Sequence, residues 1–163
     1  MKGIVAYDSV NGNTKQVAEA MAEQIKADGH EAELINLKDG APSPTGDLLL
    51  IGSPTRAMKM TKGTAKFIES LDVGYWKTRP VYMFDTVGPL SKDDAKRKGQ
   101  LEMIGSGGKN AAEKMRDLAT QRGLHVRPEV MHFAVVGMWG PLASDSLSRA
   151  KDAAKRVLAE ANK

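Results

Sequence analysis

The stretch Gly3-Ile4-Val5-Ala6-Tyr7-Asp8-Ser9-Val10-Asn11-Gly12-Asn13-Thr14-Lys15-Gln16-Val17-Ala18 changes its period in the middle. Gly3–Tyr7 is a short apolar run. From Thr14 onward the apolar positions Val17, Met21 and Ile25 recur at helical spacing up to Ala27. The pattern is that of a strand feeding an amphipathic helix. The turn between them carries a hydroxyl, an amide, a glycine, a second amide and a second hydroxyl, all at a helix N-terminus. Such a turn offers unpaired N–H groups, short polar side chains and the positive end of a helix dipole, which together suit a phosphate. The same residues also suit a plain cap, in which Asn13 or Thr14 only closes the first turn.

The alternation continues outward. Further strand-like runs lie at Ala32–Leu37, Leu48–Gly52, Val81–Thr86 and Val130–Gly137, and further helical spacing at Thr64–Leu71, Ala111–Gln121 and Ser146–Ala161. The last of these helices places Leu147, Ala150, Ala154, Val157 and Leu158 on one face. Gly29 and Gly123 stand where helix-ending glycines belong, and Pro128 marks an interruption just before the last strand. Alternation on this scale predicts an α/β fold with a parallel, doubly wound sheet in a single domain, 1–163. One segment breaks the rhythm. Val87–Gly108 is too long for an ordinary connection and suggests a lid or a mobile loop, with a short helix from Lys92 to Ile104 capped by Ser91. Tyr75 and Trp76 precede the fourth strand, at the end of the sheet away from the ligand loops, and are expected to pack structurally.

Composition narrows the function. The chain has 163 residues, is 41% hydrophobic and 27% charged, and contains no cysteine and three histidines. Thiol catalysis, disulfides and iron–sulfur clusters are excluded, no metal site is expected, and redox chemistry requires a bound cofactor. No apolar run approaches the roughly 18 to 20 residues of a membrane span, and the N-terminus lacks a signal-peptide layout. A cytoplasmic protein is expected. The net charge of +4 is uneven: residues 56 to 127 hold 15 basic and 8 acidic side chains. This middle is either a docking face for an acidic partner or a solubilising surface. With three Phe, three Tyr and two Trp, none interleaved with basic residues, nucleic-acid binding is not expected.

Two phosphate motifs fail. Gly105-Ser106-Gly107-Gly108-Lys109-Asn110 imitates a Walker loop, but Met103 and Asn110 occupy obligatory positions and no strand precedes it. A dinucleotide fingerprint needs more than Gly12 in the first turn. A phospho-accepting receiver would need an aspartate where Gly52-Ser53-Pro54 stands.

Three segments in order resemble the flavodoxin family: Tyr7–Ala18 as the loop that grips the phosphate of FMN, Leu50-Ile51-Gly52-Ser53-Pro54-Thr55-Arg56 as a loop against the flavin ring, and, less closely, Met83-Phe84-Asp85-Thr86-Val87-Gly88 as the other ring loop. The resemblance implies a five-stranded sheet of order 2-1-3-4-5 and an FMN cofactor. Ser9, Asn11, Gly12, Asn13 and Thr14 are then expected around the phosphate. Ser53, Pro54, Thr55, Arg56 and Ala57 are expected on one side of the ring, and Thr86, Val87 and Gly88 on the other. No catalytic side chain is implied, because the flavin carries the chemistry. The function expected is that of a monomeric electron carrier exchanging electrons with redox partners of acidic docking face through an exposed flavin edge. The alternative is an FMN-dependent oxidoreductase, of quinone or protoporphyrinogen type, with Val87–Gly108 as its substrate lid; a flavin-free binding module is the third possibility.

The sequence also departs from the family. Neither ring loop contains an aromatic residue. Met58 and Met60 are either ring contacts or ordinary gap-fillers. Trp139 follows the last strand, one strand too far for a strong ring contact, and is a fair partner contact. Arg56 beside the ring would favour its negatively charged reduced form, in contrast to the acidic surroundings common in flavodoxins. No glycine lies in Ser53–Met60, so the backbone flip that accompanies reduction in many flavodoxins has no assigned place.

Overall fold

The computed structural model describes residues 1–40 and 43–163. The strands are β1 (Lys2–Tyr7), β2 (Glu31–Asn36), β3 (Leu48–Pro54), β4 (Val81–Val87) and β5 (Val126–Ala134). The helices are α1 (Asn13–Ala27), α2 (Lys62–Ser70), α3 (Val73–Trp76), α4 (Asp94–Gly107), α5 (Ala111–Gln121) and α6 (Ser146–Ala161), with a 3-10 turn at Leu37–Asp39. All five strands are parallel, in the order β2-β1-β3-β4-β5. This is the expected α/β doubly wound sheet and strand order.

Side chains alternate across each strand, so the sheet has two cores. Val5, Tyr7, Leu50, Tyr82, Phe84 and Phe133 pack with Val17, Met21 and Ile25 of α1 and Ala150, Ala154 and Val157 of α6. Ile4, Ala6, Leu49, Ile51 and Met83 pack with Phe67 and Ile68 of α2, Trp76 of α3 and Met115 of α5. Covered on both faces, the central strands read as continuous apolar runs rather than alternating ones. Gly52 is required by packing: a Cβ there would lie 2.1 Å from Cζ of Phe84. Trp76 is fully buried, and its indole N–H donates to the Pro44 carbonyl at 3.3 Å.

Three expectations are corrected. The last strand begins at Val126 and ends at Ala134 rather than running Val130–Gly137, so Pro128 lies inside it. β5 is an outer strand, where a missing N–H is tolerated, and its pairing with β4 slips between Val81 and Met83, opposite the proline. In the long insertion the helix is α4, capped by Asp93, whose carboxylate accepts from Lys96 N; Ser91 Oγ accepts instead from Asp93 N. On α6, Leu147 is exposed, off the buried stripe of Ala150, Ala154, Val157 and Leu158.

α4 has scarcely any apolar face; Arg97 is its only buried residue. The Arg97 guanidinium donates to the carbonyls of Ser91 and Lys92 and pairs with Asp94 at 2.7 Å and Asp145 at 3.4 Å. One side chain thus ties the insertion to the start of α6. Among the described residues no helix is long and apolar enough to cross a membrane.

Candidate functional site

The first loop leaves the C-terminal end of β1 at the centre of the sheet. Asp8 N donates to the Gly52 carbonyl, and the buried Asp8 carboxylate accepts from Lys38 Nζ at 2.7 Å, from Thr61 Oγ1 and from Ser9 N. Burial would raise this carboxyl, but the bonds from Lys38 and Thr61 outweigh it and hold it below the ordinary value. Gly12 stands at the N-cap with φ +89°, no side chain caps the helix, and a Cβ at Gly12 would meet open space. Asn13 and Thr14 therefore lie within α1 and do not cap it. The first-turn amides of α1 have no intrahelical acceptors, and the dipole adds positive potential where they point. Ser9 Oγ accepts from Gly12 N at 3.0 Å and fixes the turn from inside. Thr14, almost fully buried, shares a hydrogen bond of 2.8 Å with Thr86 Oγ1, which joins the first loop to the third.

The second loop follows β3. Thr55 N donates to the Thr86 carbonyl at 2.9 Å, and Arg56 and Lys59 exchange both backbone hydrogen bonds at 2.9 Å. The two-residue turn so closed is Ala57-Met58, with φ +50° and +63°, both in the left-handed region that glycine and asparagine usually fill. Ser53 lies beneath this loop, fully buried, with its hydroxyl donating to the Pro54 carbonyl and accepting from Thr61 N. In the third loop Gly88 is required by crowding, since a Cβ would lie 2.3 Å from the Val135 carbonyl oxygen.

These loops border a cavity of about 330 Å³, open to solvent. Of the expected residues, Asn11, Asn13, Pro54, Thr55, Arg56, Ala57, Thr86 and Gly88 line it. Ser9, Gly12, Thr14, Ser53 and Val87 stand behind that wall or beside it; Val87 is buried and its carbonyl accepts from Val135 N. Met58 is half-exposed on the turn, whereas Met60 packs against the core beneath the sheet.

Sequence reasoning placed Trp139 too far away. The chain doubles back after β5, and Val135, Gly137, Met138 and Trp139 line the same cavity, with Asn13 Nδ2 donating to the Trp139 carbonyl at 3.2 Å. The signal was present in the pair Gly137 and Gly140-Pro141, a turn pattern that the late placement of β5 absorbed into a strand.

A second feature was missed altogether. Asp85 of β4, Glu113 of α5 and His132 of β5 are all buried. His132 Nδ1 lies 2.7 Å from Asp85 Oδ1, and Nε2 lies 2.8 Å from Glu113 Oε2. Burial lowers the affinity of this imidazole for its proton, but the bonds and charges of Asp85 and then Glu113 together outweigh it and hold His132 above the ordinary histidine value. The other Asp85 oxygen accepts from Thr55 Oγ1 and Ala112 N, both at 3.0 Å. The three acid and imidazole groups lie within 4.8 Å of one another. With a separate carboxylate on each ring nitrogen, they form a hydrogen-bonded chain rather than donors converging on one point, and the chain ends on the cavity loop at Thr55.

A family model for the flavodoxin domain matches residues 4–135, and the chain belongs to the flavodoxin family. No curated protein matches it. Among solved structures it is similar to a flavodoxin from the domain Archaea, with a TM-score of 0.72, 19% identity and 100% of both chains covered. It is also similar to Flavodoxin 1 from Bacillus cereus, with a TM-score of 0.67, 17% identity and 97% of both chains covered. A third likeness, with a TM-score of 0.69 and 18% identity, is to the rubredoxin oxygen:oxidoreductase of Desulfovibrio gigas. It covers 98% of this chain and 36% of that one. At these identities the likeness is one of fold. Membership in the family implies a flavin cofactor and electron transfer with redox partners in general.

Proposed function

We propose that the protein binds FMN at the C-terminal end of its sheet and carries electrons between partner proteins through an exposed flavin edge. The observation that carries this reading is the uncapped N-terminus of α1 behind a left-handed glycine, opening beside a cavity lined by two further loops. The donor set fits a phosphate monoester: amides at a helix start, the Asn11 and Asn13 side chains, and Ser9 and Thr14 holding the turn in shape. Pro54, Thr55, Arg56 and Ala57 on one side, and Thr86 and Gly88 on the other, would hold the ring, with Ser53 and Val87 supporting them. Bound FMN supplies one- and two-electron chemistry. The chain's own residues hold the cofactor, keep water from its inner face and set the charge around it. No side chain need accept or release a proton to a substrate.

The test is direct. Purified protein is expected to carry one FMN, seen in its visible absorption, and stripped protein to quench added FMN. Protein that neither contains nor rebinds FMN would overturn the reading. Oxidation of NAD(P)H without an added reductase would replace the carrier by an FMN-dependent oxidoreductase on the same fold.

A further inference from the structure

The turn after β5 is built to a tight specification. Val136 N donates to the Pro141 carbonyl at 2.9 Å, and Val135 pairs antiparallel with Leu142. A Cβ at Gly137 would lie 2.1 Å from the Gly140 carbonyl oxygen. Gly140 itself has φ +126°, and a Cβ there would come within 3.0 Å of Asn13 Oδ1. Both glycines are therefore fixed by geometry, one by its turn and the other by contact with the phosphate loop. What the turn presents at its tip is Met138 and Trp139, 72% and 71% exposed. Leaving an indole that far in water is unfavourable unless something covers it. Among the described residues Trp139 is also the only aromatic one lining the cavity.

We infer that Trp139 is the aromatic wall of the flavin site, packing its indole on the isoalloxazine of bound FMN. The inference rests on the FMN reading above. A flat aromatic ring fits the cavity: its other walls combine glycine, alanine, valine, proline and threonine with the longer side chains of Arg56 and Met138, and its phosphate end would be held by Asn13, the residue that also tethers the Trp139 carbonyl. One side chain thus couples the two ends of the cofactor. The turn takes over, from a different strand, the stacking role for which the two ring loops carry no residue.

The chain has two tryptophans, and Trp76 is fully buried in the core, so the two indole N–H signals in a nitrogen–proton correlation spectrum are separable. Trp139→Phe assigns them. Comparing stripped with FMN-loaded protein, the Trp139 signal is expected to shift upfield by ring current while the Trp76 signal stays in place; inorganic phosphate alone should move neither. By the usual worth of an aromatic pair, Trp139→Ala is expected to weaken FMN binding roughly two- to twelvefold, measured by flavin fluorescence on dilution of loaded protein. Trp139→Phe should restore most of the loss. If FMN binds the wild type, but Trp139→Ala binds it equally well and the indole signal does not move, the inference is overturned, Trp139 is left to partner contact and the FMN reading survives. If the wild type binds no FMN, both fall.

Discussion

Buried between Asp85 and Glu113, His132 has a carboxylate on each ring nitrogen, and only the protonated ring can donate to both. Its native pKa is raised, so the stabilisation from its charge is fully present below the ordinary value of about 6.5 and is lost as pH rises through the elevated native value. Stability measured by urea unfolding is expected to fall across the neutral-to-alkaline range. His132→Asn should abolish that limb and cost about 3 kcal/mol, because neither buried carboxylate keeps its charged donor. A pH profile that is flat in the wild type would refute the assignment. Arg56 acts on the cavity rather than the core. It is exposed and lines the cavity, so its charge is expected to favour the anionic reduced cofactor. Arg56→Ala should lower the midpoint potential of the loaded protein; an unchanged or higher value would refute that role for the guanidinium.

At the scale of elements, the turn at Ala57-Met58 stores strain beside the cavity. Two residues with side chains occupy left-handed conformations in a turn that prefers asparagine followed by glycine. Introducing A57N together with M58G is expected to stabilise the stripped protein by about 1 kcal/mol, a rise in Tm of about 2–4 °C. No rise in a thermal melt would mean that contacts of Ala57 and Met58 offset the strain. α4 is the opposite case, a helix held by one ionic anchor instead of an apolar face. Arg97→Ala is expected to leave α1, α5 and α6 protected in hydrogen exchange while the amides of α4 exchange far faster. Equal protection in α4 before and after the substitution would contradict the anchor.

At the scale of the molecule, the charge excess of residues 56 to 127 includes Arg97, which is buried and paired; the exposed remainder includes Lys92, Lys96 and Lys98 at the start of α4. If this face steers an acidic partner, electron exchange should slow as ionic strength rises; a rate indifferent to salt would remove the docking role. The fold was legible because its cues are local: each strand is a short apolar run, each core-facing helix a periodic one, and the three loops expected to hold a ligand sit directly after their strands. Trp139 and the Asp85–Glu113–His132 chain were not legible, for a different reason. Asp85, Glu113 and His132 are separate polar interruptions in three elements, and only the pairing of β4 with β5 under α5 brings them together. Trp139 reaches the cavity only because the chain reverses earlier than its apolar run suggests, and Pro128, read as a strand breaker, concealed where β5 begins. Sequence periodicity reports which residues are buried, not which buried residues meet.

So slight a hold on α4 matters most at the outer margin of the sheet. Among the described residues β5 has no strand beyond it, and the Leu101 side of α4 borders the same cleft as Val130–Phe133. A bare strand margin is a template on which a second molecule can extend the ladder. Losing the guanidinium that fastens α4 is therefore expected to open that border further, and Arg97→Ala to clump on storage before it unfolds, as light scattering would read.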